Sequence, residues 1–366
     1  MSNLRLSSYD EIRGFNDKPL SRQWSAFVEQ CNFYLDEKKS LRPGCEWIPQ
    51  FRIIAQRAVQ LKNSSEIIIR DFIKHHFLPY ELVDNENQSE DGFITGYYQP
   101  ELRGSLFQTE DFTCPIYARP SDLISFENGI NKNLKGYYGG CYDENQNLIP
   151  YQTRQDIELD KSGKFKAIMW VQDYVEAFLL HVQGSALVRT GDGREYKLTY
   201  AGRNGHPYTS IGKLLIEGGY INQNIMSLKV LKQWLRDHGQ DDYNHGRSIM
   251  WQNRSFIFFN RSLINNNDKR PIGGSGLGLN PLISVAADRK YWPYGTFFWI
   301  EMHKPIDNYS DSAFSSLVIN QDTGTAIVGR SRFDLYMGSG SYAGEVAGNI
   351  RHNAKIIVFQ VNKDVI

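Results

Sequence analysis

The sequence predicts a mainly β protein with accessory helices, on three observations. A succession of short apolar segments separated by turn residues runs from about residue 254 to the C-terminal end, as in a closed β-barrel. Apolar residues at helical spacing occur near the N-terminus. The 366 residues correspond to about two domains at ~150 residues each.

The chain opens with three amphipathic segments. In residues 22–38 and 51–62 the apolar residues recur every three or four positions, which predicts two helices with one buried face. A third helix is predicted to begin at Asn63 as the cap, with Glu66 completing a start that resembles a capping box, and to be ended by Pro79.

Strand-rich sequence begins at residue 92. The segments "GFITGYYQPELRGS" and "CPIYARP" (114–120) have β-branched and aromatic residues between turn residues. Residues 181–202 predict a hairpin, because the pair Asp192-Gly193 separates two alternating apolar runs. Residues 130–150, rich in glycine and asparagine, are typical of a loop.

Two further helices and a linker precede the barrel segments. Residues 209–219, with Thr209 as a cap, and residues 227–239 show helical periodicity. The polar residues 239–253 are typical of a linker. The strands predicted after it are "SFIFFN", "PLISVAAD", "TFFWIEM", "SSLVINQD", "TAIVG", "RFDLYMG" and "KIIVFQV".

Charge and motifs exclude several functional classes. The 41 basic and 41 acidic residues cancel, and no run of five basic residues occurs, so the sequence favours neither nucleic acid nor an anionic membrane as a partner. Gly-x-Gly-x-x-Gly, Gly-Lys-Ser/Thr and Gly-x-Ser-x-Gly are absent, which argues against nucleotide binding and the usual serine-hydrolase elbow.

No metal or other cofactor is expected. The histidines form no His-Glu-x-x-His motif, and the cysteines lack Cys-x-x-Cys spacing; they are Cys31, Cys45, Cys114 and Cys141. The first residues contain no export signal, and no apolar run of 18 residues occurs, so the chain as given is expected to be soluble.

The stretch "QDTGTAIVGRSRFDLYMGSG" (321–340) contains the candidate chemistry. If "RFDLY" is a strand, Phe333 and Leu335 share one face, and Asp334 lies on the other. Asp322 ends the preceding apolar run, where its side chain can reach a cleft. On these residues alone, two aspartates that only shape turns or strand ends are the favoured interpretation.

The Asp-Thr-Gly at 322–324 does not predict an aspartic peptidase. Such enzymes bring two of these loops together so that two carboxylates share a proton. This chain has one such triplet, and 366 residues exceed the length of a single lobe that would pair with a copy of itself.

Several segments together resemble the membrane-bound lytic murein transglycosylase A family of bacterial cell-wall enzymes. The resemblance covers most of the chain from about residue 90 and includes Asp288, Asp322 and Asp334 in the family's order. Its segments are "TGYYQPEL", "VQGSALV", "YAGRNGHPYTSIGKLLIEGG", "MSLKVLKQWL", "NRSFIFF", "AADR", "NQDTG" and "FDLYMGSG".

The resemblance implies a double-psi β-barrel domain plus an inserted smaller β domain, with a groove between them for a glycan strand. The barrel domain with the N-terminal helices would comprise residues 1–104 and 244–366, and the inserted domain residues 105–243. The implied partner is the peptidoglycan glycan strand, with cell-wall synthesis or division proteins as further candidates. A monomer in the periplasm or cell envelope is expected, associated with the outer membrane in its native form, although the sequence shows no signal for this.

The resemblance also implies the site residues. Asp334 matches the family's single catalytic acid. Asp322 is the second predicted catalytic residue, as the negative charge near that acid. Because Tyr97 and Tyr98 alternate in an extended strand, at most one of them is expected to meet sugar directly, whereas Gln183 and Ser185 would share a face. The substrate-binding candidates are Tyr97, Tyr98, Gln99, Gln183, Gly184, Ser185, Gly324 and Asp288.

The implied reaction requires only one carboxyl group. Asp334 would protonate the glycosidic oxygen between N-acetylmuramic acid and N-acetylglucosamine and then take the proton of the muramyl C6 hydroxyl, which leaves a 1,6-anhydro ring. The pKa of Asp334 must then rise from about 3.9, through burial and the nearby charge of Asp322. Thr323 and Gly324 could keep Asp322 ionised by donating N–H bonds, and Arg332 would oppose the rise unless it pairs elsewhere.

Two alternatives stay open. In the first, Asp322 and Asp334 form the two-carboxylate pair of an inverting glycoside hydrolase, separated by ~6.5–9.5 Å to admit water. In the second, the barrel binds glycan without catalysis.

Overall fold

The computed structural model describes residues 3–83, 91–126, 133–265, 268–303, 305–306 and 313–365. The chain forms two compact units. The first comprises Met1–Tyr98, Ile272–Gly338 and Val346–Ile366, and the second comprises Gln99–Pro271 and Ser339–Glu345.

The strands and helices of the described residues are numbered in chain order. The strands are β1 Asn3–Leu6, β2 Phe77–Val83, β3 Gly92–Gln99, β4 Glu101–Ser105, β5 Cys114–Tyr117, β6 Ile124–Ser125, β7 Gly139–Tyr142, β8 Leu148–Pro150, β9 Ala167–Val171, β10 Ser185–Thr190, β11 Glu195–Arg203, β12 Ile257–Leu263, β13 Ser284–Ala286, β14 Phe297–Met302, β15 Ser315–Asp322, β16 Arg332–Ser339 and β17 Arg351–Val361. The helices are α1 Ser21–Leu35, α2 Phe51–Gln60, α3 Glu66–His76, α4 Arg154–Leu159, α5 Tyr174–Gln183, α6 Ile211–Glu217, α7 Leu228–Asp237, α8 His245–Gln252 and α9 Gly340–Asn349.

The first unit contains a closed barrel of six strands. Hydrogen-bonded neighbours run in the order β17, β14, β15, β13, β16 and β3, and β3 pairs back with β17 from Arg351↔Thr95 to Ala354↔Gly92. The C-terminal part of β17 pairs with β2, which in turn pairs with β1. The prediction of a mainly β protein with a closed barrel is therefore confirmed.

The barrel strands are buried on both faces, which explains their nearly continuous apolar sequence. Along β14, Phe298 and Ile300 belong to the cluster that fills the barrel, whereas Phe297 and Trp299 pack with the N-terminal helices. β17 alternates in the same way. Successive side chains of a strand point to opposite faces, so one strand serves both cores.

Helices α1, α2 and α3 cover the outer face of this sheet, as their apolar stripes predicted. The predicted start of the third helix is wrong, because α3 begins at Glu66 with Ser65 at the N-cap position. The Glu66 carboxylate accepts hydrogen bonds from the backbone N–H groups of Leu20 and Ser21, at 2.8 and 2.9 Å. Glu66 thus satisfies free donors at the start of α1, and the predicted cap Asn63 lies in a turn before α3.

The second unit is built on a six-stranded sheet in the order β12, β11, β10, β4, β9 and β5, beside a three-stranded sheet of β6, β7 and β8. The predicted hairpin is confirmed: β10 and β11 pair antiparallel across the turn, where Gly193 has φ of 82°. Since β12 pairs with β11, this sheet extends past the predicted domain boundary at residues 243/244.

Three further local predictions are wrong, two in the second unit and one in the first. Residues 239–253 contain α8 rather than only a linker. Helix α6 is capped by Ser210, whose side chain accepts from Lys213 N–H, and not by Thr209. In the first unit, the predicted strand "TAIVG" (325–329) is instead a turn after β15, in which Ile327 N–H donates to the Gly324 carbonyl at 3.2 Å.

A buried ionic cluster holds several elements of the second unit together. The carboxylate of Glu158, on α4, lies 3.1 Å from Arg154 and 3.0 Å from Arg247. It also accepts a hydrogen bond of 2.9 Å from the indole N–H of Trp251. Both arginine side chains are almost fully buried, so this single carboxylate compensates two buried positive charges.

The four cysteines are free thiols, with Cys31 and Cys114 buried. Among the helices of the described residues, none combines the length and the apolar character that a bilayer crossing requires.

Candidate active site

Asp322 and Asp334 flank the same residue of a central barrel strand. Ala286 of β13 pairs with Asp322 of the parallel strand β15 and with Asp334 of the antiparallel strand β16. Neighbouring strands lie ~4.8 Å apart, which places the two Cα atoms about 10 Å apart across β13. The register shifts by one residue immediately before Ala286, and such a bulge re-aims the side chain that follows it.

The strand geometry of Asp334 is as predicted. Phe333 and Leu335 are fully buried in the barrel core, and Asp334 lies on the opposite face of β16. Its Oδ1 atom accepts a hydrogen bond of 2.7 Å from the hydroxyl of Thr95, on β3. The Thr95 oxygen in turn accepts a hydrogen bond of 2.7 Å from Nη2 of Arg332.

The environment of Asp334 favours its neutral form. Burial raises the pKa of Asp334 to about 6, and the negative charge of Asp322 also raises it. The hydrogen bond from Thr95 and the positive charge of Arg332 lower this pKa, and these opposing effects are outweighed by burial. Arg332 donates to the carbonyls of Phe93 and Phe333 as well as to Thr95, but its charge still opposes the rise, so the expectation for Arg332 is met only in part.

The carboxylate of Asp322 is held by three donors. Its Oδ1 atom accepts from the backbone N–H of Gly274 at 2.7 Å and of Thr323 at 2.8 Å. Its Oδ2 atom accepts from the hydroxyl of Tyr97 at 2.9 Å. Burial and the adjacent Asp322 raise the pKa of Tyr97 well above its usual value, so the phenol remains the donor. Thr323 therefore donates as predicted, and the described bonds to Asp322 include none from Gly324.

Close packing at Gly274 explains how its amide reaches Asp322. A Cβ atom at this position would lie 2.6 Å from the hydroxyl oxygen of Tyr294. That hydroxyl is fixed by donation to the Arg42 carbonyl at 3.0 Å. Only glycine lets the backbone approach the carboxylate this closely.

The two adjacent tyrosines point in opposite directions, in agreement with the sequence. The Tyr97 ring lies 5.3 Å from the ring of Tyr336, on the face that carries the aspartates. Tyr98 is 5% exposed and packs away from them. Gln99, the last residue of β3, is buried, and its Oε1 atom accepts from the Ser339 hydroxyl at 2.8 Å.

Asp288 has a structural position in the loop after β13. Its buried carboxylate accepts from the backbone N–H groups of Lys290 at 3.0 Å and Gly329 at 2.8 Å, which joins two loops. Gly324 begins the turn after Asp322 and Thr323, and its carbonyl accepts from Ile327 N–H. These contacts position the loops on both sides of the aspartate pair.

The predicted face shared by Gln183 and Ser185 is wrong. Gln183 is the last residue of helix α5, whereas Ser185 is the first residue of β10. Between them Gly184 adopts a left-handed conformation with φ of 78°, and its N–H donates to the Leu180 carbonyl at 2.8 Å. A helix C-terminus therefore interrupts the two-residue alternation that the prediction assumed.

Sequence reasoning missed Thr95, Gly274 and Tyr294. A signal for Thr95 was present, because it precedes Tyr97 by two residues and so shares its strand face. Gly274 and Tyr294 reach the site through the fold, far from Asp322 in sequence. Within the described residues, no group of three or more His, Cys, Asp or Glu side chains is placed to hold a metal ion.

Comparison with known proteins places this geometry in a family. A family model described as "MltA specific insert domain" matches residues 93–260, and one described as "3D domain" matches residues 283–360, which include all three aspartates. Membrane-bound lytic murein transglycosylase A of Vibrio cholerae is 33% identical over 274 residues, or 72% of this chain and 64% of that relative. The chain belongs to the MltA family.

Solved structures of the MltA family share the fold. A membrane-bound lytic murein transglycosylase from Agrobacterium tumefaciens superposes with a TM-score of 0.84, at 28% identity, over 98% of both chains. Escherichia coli MltA with bound chitohexaose has a TM-score of 0.67 at 25% identity, over 93% of this chain and 90% of that one. The predicted family and fold class are thus confirmed, although the chain spans under two thirds of the V. cholerae relative.

Proposed function

We propose that this MltA-family chain is a lytic transglycosylase that cleaves the β-1,4 bond between N-acetylmuramic acid and N-acetylglucosamine in peptidoglycan. The observation that carries the proposal is Asp334, whose pKa of about 6 lets it act as an acid near neutral pH. The names of the V. cholerae and A. tumefaciens relatives support this reaction class.

In the proposed mechanism Asp334 acts twice. Its proton passes to the glycosidic oxygen as the bond from that oxygen to the muramyl anomeric carbon breaks. The muramyl C6 hydroxyl then bonds to the anomeric carbon, and its proton returns to the Asp334 carboxylate. The products are an N-acetylglucosamine end and a 1,6-anhydromuramic acid end, and water is not consumed.

Asp322 supports this cycle as a fixed negative charge. Three donors occupy its two oxygens, which fixes the orientation of the carboxylate. Its charge raises the pKa of Asp334. A nearby carboxylate also stabilises the positive charge that develops at the anomeric carbon of a glycosidic transition state.

A two-carboxylate hydrolase is the second candidate, because Asp322 and Asp334 pair with the same residue, Ala286, from the two sides of β13. In that reaction Asp322 would activate water as a general base. The three hydrogen bonds already made to Asp322, two to Oδ1 and one to Oδ2, leave little acceptor capacity for a water molecule. This contact pattern favours the transglycosylase.

The proposed substrate is a peptidoglycan glycan strand. The chitohexaose bound to E. coli MltA is a chain of β-1,4-linked N-acetylglucosamine, which supports a glycan ligand. We propose sugar contacts at the predicted positions Tyr97, Gln183, Gly184, Ser185 and Gly324. The predicted positions Tyr98, Gln99 and Asp288 are buried, and we propose that they support the site without touching sugar. The proposed location is the cell envelope, with the protein acting as a monomer.

Mass spectrometry of muropeptides released from purified peptidoglycan tests the proposal. The wild-type protein is expected to release products one water lighter than hydrolytic products, and Asp334→Asn none. Asp192→Asn, in an exposed turn, is the matched control and should retain full activity. Reducing-end products would replace the proposal with hydrolysis, and release by Asp334→Asn would exclude Asp334 as the acid.

A further inference from the structure

We propose that Thr95, oriented by Arg332, is a positioning residue that directs the acidic proton of Asp334 to its Oδ2 atom. This inference rests on the proposed function, since it specifies which oxygen of the acid faces the glycosidic bond. It is carried by the hydrogen-bonded series from Arg332 through Thr95 to Asp334.

The direction of both hydrogen bonds follows from the groups involved. The guanidinium of Arg332 can only donate, so the Thr95 oxygen is the acceptor of the 2.7 Å bond from Nη2. A threonine hydroxyl has a single hydrogen. With its oxygen accepting from Arg332, that hydrogen is directed to Oδ1 of Asp334, also at 2.7 Å.

This arrangement distinguishes the two oxygens of Asp334. Oδ1 already accepts the hydrogen of Thr95, and a proton on the same oxygen would leave it a weaker acceptor for that bond. The neutral acid therefore has its proton on Oδ2. After proton transfer Oδ1 keeps its donor, and Oδ2 is the oxygen that takes the proton of the C6 hydroxyl.

The backbone and its neighbours hold the series in place. Thr95 lies in β3 with Arg351 of β17 as its partner, and a β-branched side chain on a strand has few rotamers. Arg332 also donates to the carbonyls of Phe93 and Phe333, and its guanidinium lies 5.2 Å from the centre of the Phe93 ring. The arginine can therefore orient Thr95 without pairing directly with the acid.

The charged and titratable groups around Asp334 are few in the described part of the chain. Arg332 lies on the same strand, Asp322 lies on β15, and Tyr97 lies on β3 with its hydroxyl bonded to Asp322. Tyr336 of β16 packs against Tyr97. Removal of the Thr95 hydroxyl leaves the contacts of Asp322, Tyr97 and Tyr336 unchanged, whereas Arg332 loses one acceptor and keeps its bonds to the Phe93 and Phe333 carbonyls.

The test compares Thr95→Val, which removes the hydroxyl at nearly constant shape, with Thr95→Ser, which retains it. The carboxyl titration of Asp334 is followed by carbon-13 NMR in full-length protein without substrate, with Asp334→Asn used to assign the signal. Thr95→Val is expected to raise the pKa by about 1–2 pH units, because a hydrogen bond to the carboxylate is lost. Thr95→Ser should titrate like the wild type.

Kinetics of muropeptide release provide the second readout. Thr95→Val is expected to lower kcat at least tenfold while KM changes less than twofold, and Thr95→Ser should restore kcat to within threefold of the wild type. Near-UV circular dichroism checks the fold, and Thr95→Ala replaces the valine variant if that variant is misfolded.

Two results would overturn the inference: an unchanged titration in the variant without the hydroxyl, or an equal loss of kcat in the serine and valine variants. The NMR titration does not depend on the reaction. Thus if the wild type fails to release anhydro products while Thr95→Val still shifts the titration, the proposed function is wrong and the hydrogen-bonded series is correct.

Discussion

Replacing Asp334 by asparagine should stabilise the first unit at neutral pH. Burial raises the pKa of Asp334 from 3.8 to about 6, so the folded protein disfavours the carboxylate relative to the unfolded chain. At 1.36 kcal/mol for each pH unit, that difference corresponds to a penalty of about 3 kcal/mol when the group is ionised. Asparagine avoids this penalty and can still accept the bond from Thr95, so we expect a gain of about 2–3 kcal/mol.

The stabilisation should depend on pH with a definite sign. Below pH 3.8 the carboxyl is protonated in the folded and the unfolded chain, and the aspartate has no penalty. As the pH rises from 3.8 to 6, the unfolded chain ionises first and the wild type loses stability. The gain from Asp334→Asn should therefore be near zero at pH 3.5 and complete above pH 7.

Thermal unfolding at a series of pH values measures this effect. For a unit of this size, about 2–3 kcal/mol corresponds to a rise in Tm of roughly 4–12 °C at pH 7.5. Asp322→Asn is the matched control and should be destabilising, because asparagine cannot accept all three bonds made to Asp322. A gain of equal size at pH 3.5 and pH 7.5, or a loss at pH 7.5, would refute the electrostatic reasoning.

Three further predictions concern catalysis and packing. In the pH profile of kcat/KM, activity should fall about tenfold per pH unit above about pH 6 as Asp334 ionises; a flat profile to pH 8 would contradict the acid role. Glu158→Gln should lower the free energy of unfolding in urea by about 3–5 kcal/mol, because two buried arginines lose their counter-charge. The control Glu217→Gln, in an exposed ion pair, should change that free energy little. In the same unfolding experiment, Gly205→Ala should lower the free energy of unfolding by at least ~2 kcal/mol more than Gly193→Ala. Both glycines have positive φ, but only at Gly205 would the added Cβ atom meet backbone, at 2.2 Å. Equal losses would show that the neighbouring backbone moves aside.

Local patterns in the sequence predicted the parts of the fold that depend on local physics. The alternation around Asp334 placed Phe333 and Leu335 in the core, and the pair Asp192-Gly193 located a hairpin. Both depend on residues within a few positions of one another. The start of α3 was wrong because Glu66 serves a distant helix, a contact that no local pattern contains.

The candidate site was predictable in its acids but not in their partners. Asp322 and Asp334 were found from one short stretch, yet the strand that aligns them, β13, lies outside it. Thr95 and Gly274 meet the two carboxylates only when β3 and the loop before β13 are in place. The pKa of Asp334 depends mainly on how deeply its carboxyl group is buried. The sequence pattern shows which face of the strand carries Asp334, but not how much of that face the fold covers.

The closure of the barrel through β17 has a consequence for the synthesis of the protein. Asp334 is translated before β17, but β3, which provides Thr95, is joined to the rest of the barrel on one side by residues Arg351–Ala354. A growing chain that still lacks these residues already contains Asp334, but β3, the strand that carries Thr95, is not yet paired with β17. The hydrogen bond from Thr95 to Asp334 therefore depends on a strand pairing that becomes available only after almost the whole chain has been made.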